Sequence, residues 1–183
     1  RQARLQQTIS DKVLRFHVLA NSDSEADQTL KLAVRDRVLQ EYGDLLETCT
    51  SKEETLAALK NAQQEISETA EAEVLAQGYT YPVRVSLVRE EFPFKKYGDL
   101  IFPAGVYDAL RIEIGEAKGK NWWCVLYPQM CYVDAAWGYS TEESHVRLQN
   151  TLTKEEFLVV SAMEQKKVTP KIKCRLVELW SER

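Results

Sequence analysis

At 183 residues the chain is long enough for one substantial core and short for two. Its hydrophobic content of 44% and charged content of 28% are those of a folded globular chain, with no repeat or low-complexity tract pointing to a solenoid or to disorder. A net charge of −4 argues against a nucleic-acid partner, and no run approaches the roughly 18 consecutive apolar residues of a membrane span.

The sequence opens on Arg1-Gln2-Ala3-Arg4, without an initiator Met or a signal-peptide pattern, and reads as a mature form whose leader has been removed. Val13 to Ala20 has the β-branched, apolar character of a buried strand and stops at the turn cluster Asn21-Ser22-Asp23. Ser24 followed by Asp27 resembles a capping box. Leu30, Val34, Val38, Tyr42 and Leu45 then recur at spacings of three and four, the stripe of a helix. A second helix is announced by Ser51 with Glu54, carries Leu56, Leu59, Ile66, Ala70 and Val74, and ends at Gly78, where a left-handed cap is expected.

After Gly78 the period falls to two, with Tyr81, Val83, Val85 and Leu87 alternating with Pro82, Arg84, Ser86 and Val88. Phe92-Pro93-Phe94 interrupts that strand, and Leu100 to Gly105 leads into another, Val106 to Ile114. A turn follows at Lys118 to Asn121. Trp122 to Leu126 is too apolar for a wet face, so it is expected to be central or covered on both sides. Val133 to Gln149 shows no period and reads as a long surface loop. Thr153 with Glu156 caps a third helix holding Phe157, Val160 and Met163, and Pro170 separates it from a last strand, Ile172 to Leu179. The order strand, helix, helix, strands, helix, strand predicts one α+β domain over 1–183. Its helices pack on a mostly antiparallel sheet.

Residues for catalysis are few. His17 lies in an apolar strand, where a packed histidine is the plainer reading, and His145 falls in the expected loop. No GxSxG, HExxH or phosphate-cradling motif is present. Asp23, Asp27 and Asp36 lack the spacing of a calcium loop, and helix capping accounts for the first two. No metal and no cofactor is expected. Arg35 and Asp36, being adjacent on a helix, are not expected to face one another; one of them should point back to the Asn21-Ser22-Asp23 turn.

Cysteines stand at 49, 124, 131 and 174, without a CxxC pair. If Leu126 to Gln129 turns a tight hairpin, Cys124 and Cys131 oppose each other within disulfide reach. Two buried free thiols are the alternative. Cys49 and Cys174 are expected to be free. Trp122 and Trp123, neighbours on a strand, should project to opposite faces, one in the core and the other exposed as an interface anchor with Tyr127 or Trp137 beside it. Pro128 and Phe92-Pro93-Phe94 are further possible contact points.

Three islands carry a resemblance: Leu19-Ala20-Asn21-Ser22-Asp23 with Asp27-Gln28, Lys31 and Val34-Arg35-Asp36; Phe102-Pro103-Ala104-Gly105 with Tyr107; and Asn121-Trp122-Trp123-Cys124-Val125-Leu126 with Pro128 and Cys131. In this order they make the chain resemble the stage II sporulation protein R family of endospore-forming bacteria. The resemblance implies a secreted signalling protein rather than an enzyme, exported from the forespore into the intermembrane space between forespore and mother cell. Its implied partner is a membrane-embedded aspartic protease, stage II sporulation protein GA, which processes the precursor of sigma factor E. An oxidising address and a Cys124–Cys131 disulfide are implied with it. The expected partner-binding surface combines Asn21, Asp23, Arg35 and Asp36 with Trp122, Trp123 and Tyr127. An extracytoplasmic hydrolase using Cys124 or the Asp-rich turn is the alternative.

Overall fold

A computed structural model describes residues 2–131 and 142–162. The expected strand Ile172–Leu179, Trp137 and Cys174 lie outside the described residues. Element order is α1 (Gln2–Lys12), β1 (Leu14–Leu19), α2 (Glu25–Glu47), α3 (Lys52–Ala76), β2 (Val83–Phe92), β3 (Lys95–Tyr97), β4 (Leu100–Phe102), β5 (Gly105–Ile114), β6 (Asn121–Tyr127), α4 (Glu142–Thr151) and α5 (Lys154–Ala162). The class is α+β, as the pattern of periods predicts. Four strands form one sheet in the order β2-β5-β1-β6, and β3 with β4 makes a small hairpin. β1 runs parallel to β5, whereas the β1–β6 and β2–β5 pairings are antiparallel.

Each start signal read from the sequence does its work. The Ser24, Ser51 and Thr153 hydroxyls accept the backbone N–H of Asp27, Glu54 and Glu156, and Glu156 returns the bond from the Thr153 N–H at 2.7 Å. α3 ends with Tyr79 N–H on Val74 O and Gly78 N–H on Leu75 O, a two-bond cap that needs the φ of +85° at Gly78.

The sheet has two covered faces. Leu14, Phe16 and Val18 of β1, with Leu110, Ile112 and Ile114 of β5 and Cys124 and Leu126 of β6, pack against the apolar stripes of α2 and α3. On the other face Val13, Tyr107, Ala109, Phe92 and Val125 pack with Ile9 of α1, the β3–β4 hairpin, Leu148 of α4 and Val160 of α5.

Three expectations need correction. A helix, α1, precedes the first strand; its mixture of Gln, Arg and Thr shows little apolar periodicity, and few of its side chains are buried. Residues 142–149 are helical rather than loop, because α4 buries only Ser144 and Leu148 and so carries no apolar stripe. That places His145 on a helix. β6 is an edge strand among the described residues, and the two cores cover both its faces, as its apolar run predicts. Finally, no return strand follows β6 among the described residues: the chain reverses at Pro128, which is preceded by a cis peptide bond and is buried rather than presented at a tip.

Candidate functional site

The Asn21-Ser22-Asp23 turn, expected to be a contact surface, is occupied by the protein itself. Asn21 Oδ1 accepts the N–H of Glu116 at 3.0 Å, and Asp23 Oδ1 accepts that of Lys120 at 2.7 Å. The backbone adds Lys118 N–H on Asn21 O and Gly119 N–H on Ala20 O. Asn21 Nδ2 and Ser22 Oγ donate to Asp27, which is buried at the start of α2, and these bonds, Ser22's first, hold its carboxyl below its ordinary pKa. Asp27 therefore does more than cap: it ties the turn to the helix. A side chain at Gly119 is excluded, since its Cβ would stand 2.2 Å from Ser22 O. The turn and the β5–β6 connection thus form a single lock across the end of the sheet.

Beside the lock, Lys31 Nζ donates to Lys120 O at 3.0 Å. One turn further along α2, Arg35 lies with its guanidinium 4.7 Å from the centre of the Trp122 ring. Contrary to expectation Arg35 also meets its neighbour Asp36, with Nε 2.7 Å from Oδ1. Successive Cβ atoms do diverge on a helix, but the long arginine stem folds back far enough to bridge the gap. Asp36 stays in solvent.

Trp123 projects to the opposite face, so the two tryptophans divide as strand geometry requires. They do not divide into one core and one exposed ring: both are half-buried. Trp123 stacks on His17 with centroids 5.0 Å apart, takes Phe92 edge-on at 4.9 Å and carries Lys95 Nζ 5.1 Å above it. His17 faces Arg111 across the β1–β5 pairing, while Arg111 reaches Glu90 at 3.1 Å and Glu113 at 3.5 Å. Glu90 Oε1 comes within 2.6 Å of His17 Nε2, but out of line, so both ring nitrogens lack a hydrogen-bond partner among the described residues. Burial, aided by the Arg111 charge, lowers the His17 pKa to about 4, outweighing the pull of Glu113. With Arg111 already engaging its carboxylate, Glu90 does not reverse that direction.

Two residues below His17, Arg15 is fully buried. Its guanidinium carbon lies 4.9 to 5.9 Å from the ring centres of Phe92, Tyr97, Phe102 and Tyr107. Nη2 donates to the Tyr97 hydroxyl at 3.0 Å and Nε to Cys124 O at 3.2 Å. Among the described residues no carboxylate pairs with it, so the four ring faces are its principal counter-charge. The sequence did carry a signal for this cluster, because alternation along Arg15-Phe16-His17-Val18 puts Arg15 and His17 on one face; a strand named buried as a whole hides it.

At the far end of β6, Cys124 and Cys131 are joined in a disulfide with Cα atoms 5.7 Å apart. Met130 N–H returns to Val125 O at 3.1 Å. The closed turn holds other elements in place: buried Gln129 donates to Leu46 O at the end of α2 and accepts from Arg147 of α4, and the Tyr127 hydroxyl donates to Thr50 O. Tyr127 is thus half-buried and engaged within the chain. Replacing both cysteines by serine should remove about 2–3 kcal/mol of stability, the chain-entropy value for so short a loop. Urea unfolding at one pH measures it, and an unchanged midpoint would contradict it. Cys49 is a free thiol.

Of the residues expected in one surface, Asn21, Asp23, Arg35, Asp36 and Trp122 gather at one end of the sheet. Trp123 lies on the other face, and Tyr127 at the other end of β6. The disulfide takes up the Cys124 sulfur that the hydrolase alternative needs as a nucleophile. Among the described residues no three His, Cys, Asp or Glu side chains are grouped to hold a metal ion, and no helix is long and apolar enough to cross a membrane.

A family model described as stage II sporulation protein R matches residues 10–137. The chain is 33% identical over 184 residues to the stage II sporulation protein R of Bacillus subtilis (strain 168), across 95% of this chain and 82% of that protein. No solved structure matches.

Proposed function

The chain belongs to the stage II sporulation protein R family and has a role in sporulation, and from that premise we propose that it is a secreted signal rather than an enzyme. It acts in the space between forespore and mother cell and activates the membrane-embedded aspartic protease, stage II sporulation protein GA, that processes the precursor of sigma factor E. Family membership is the observation that carries this reading. The Cys124–Cys131 disulfide supports it, because such a bond persists in an oxidising compartment outside the cytoplasm. Arg35, Asp36 and Trp122, grouped at one end of the sheet, remain candidates for the contact, as do Trp123 and Tyr127. Asn21 and Asp23 are candidates too, although their side chains also hold the β5–β6 connection.

The test is reconstitution. Oxidised chain is added outside vesicles that carry the protease in their membrane and the sigma factor precursor within. Processing should rise at least tenfold over vesicles alone, and absence of stimulation would overturn the proposal. Asp36→Lys, at an exposed position, probes the contact without touching the lock; a loss of threefold or more is expected if that end of the sheet meets the protease.

A further inference from the structure

Phe94 is 68% exposed, the most exposed large hydrophobic side chain among the described residues. Single exposed apolar residues are ordinary on protein surfaces and by themselves mean little. Phe94 differs in how firmly it is held. The residue before it is Pro93, with a restricted φ, and before that stands Phe92, buried against Trp123 and Tyr107. The residue after it, Lys95, opens β3 and pairs with Phe102. That hairpin is fastened to the sheet by Arg15, which bonds the Tyr97 hydroxyl and lies within the ring cage formed partly by Tyr97 and Phe102. With the backbone held on both sides, only the two side-chain torsions of the ring remain to be ordered on docking, a small cost that suits an aromatic side chain to the centre of an interface.

A second observation concerns charge. Lys95 is half-buried over Trp123 and, like Arg15 behind it, pairs with no carboxylate among the described residues. Burial, with the Arg15 charge adding to it, lowers the Lys95 pKa. On a chain of net charge −4, this corner carries two cations whose counter-charges are aromatic ring faces. An arriving carboxylate would meet Lys95, the one of the two that reaches the surface.

We propose that Phe94 and Lys95 together form the anchor by which this chain docks on its protein partner, the phenyl ring entering an apolar pocket and the ammonium meeting a carboxylate at the pocket's edge. This rests on the signalling reading above and places its central contact on the β2–β3 corner beside Trp123, away from the Asn21 turn.

The experiment compares dose–response curves of full-length oxidised wild type, Phe94→Ala, Lys95→Gln and Leu75→Ala in the vesicle assay, each first shown to melt as the wild type does. Leu75, 62% exposed on α3, is the control for loss of an exposed apolar side chain. Half-maximal processing should need at least tenfold more Phe94→Ala and several-fold more Lys95→Gln, with Leu75→Ala within twofold. Wild-type stimulation with an unshifted Phe94→Ala curve would overturn the anchor alone. Absence of wild-type stimulation would overturn the signalling reading and the anchor with it. If Phe94→Ala instead loses wild-type binding to protease-free vesicles containing one-fifth anionic phospholipid, the ring is a lipid contact and the proposal fails.

Discussion

Replacing Arg15 with alanine is expected to cost about 3–5 kcal/mol, enough to lower the melting temperature by roughly 10 °C in a chain of this length. Several losses combine. The Tyr97 hydroxyl and Cys124 carbonyl each lose a charge-assisted bond inside the core, and Phe92, Tyr97, Phe102 and Tyr107 surround the vacated volume. Arg15→Met separates volume from charge. It refills most of the cage and removes an ion whose burial is itself costly, so it should lose less than half of what alanine loses. Thermal melts of the three proteins decide this. An alanine variant that melts like the wild type would show that the cage contributes nothing. Because the same guanidinium fastens β3 and β4, amide exchange in residues 95–102 should accelerate in the alanine variant before the rest of the sheet is affected.

The second large effect is one of pH. His17 is buried with a pKa lowered to about 4 against an ordinary 6.5, so the folded state disfavours its proton. For a base depressed in this way stability is fully present above 6.5 and is lost as pH falls toward 4, by about 3 kcal/mol from a shift of this size. The groups that face the ring act in both directions: Arg111 and Arg15 oppose protonation, Glu113 and the misaligned Glu90 favour it, and Trp123 and Phe92 keep water away. His17→Phe keeps an aromatic ring against Trp123 and cannot titrate. Urea midpoints between pH 7 and pH 4 should therefore fall for the wild type and lie nearly flat for the variant. Equal slopes would refute the assignment. Glu156, its carboxyl drawn down to about 2 by Lys12 and Thr153 despite burial, contributes stability that is lost only as pH falls from about 4.5 to 2, so the two titrations occupy different windows.

Much of the fold could be read from the chain because its punctuation is local. Ser24, Ser51 and Thr153 announce helices within three residues of their own positions, and Gly78 ends one with the left-handed φ that glycine supplies readily. What escaped is what local pattern does not encode. α1 and α4 bury too few side chains to leave an apolar stripe. The apolar run Trp122 to Leu126 announces that both faces are covered, but not whether a strand lies on each side. Two cysteines seven apart suit a hairpin after β6. The chain instead reverses at buried Pro128, and the sulfurs meet with no return strand among the described residues. The bonds from the Asn21-Ser22-Asp23 turn to a segment nearly a hundred residues away are another contact that local pattern does not announce. Arg15 and His17 were visible as alternate residues; that one would sit in a cage built from β2, β3, β4 and β5 was not.

The central position of β1 bears on the order in which the molecule can assemble. Leu14 to Leu19 is made before both its neighbours, Gly105–Ile114 and Asn121–Tyr127, which follow close to a hundred residues later. Until those segments arrive, an apolar ribbon with two bare edges waits without partners, the condition in which chains pair with the wrong strand or with each other. α2 and α3 can form meanwhile and shelter one side of it. Closure belongs to the last-made part of the sheet, and the disulfide, whose second sulfur follows β6 by four residues, fastens the end of the strand that completes it.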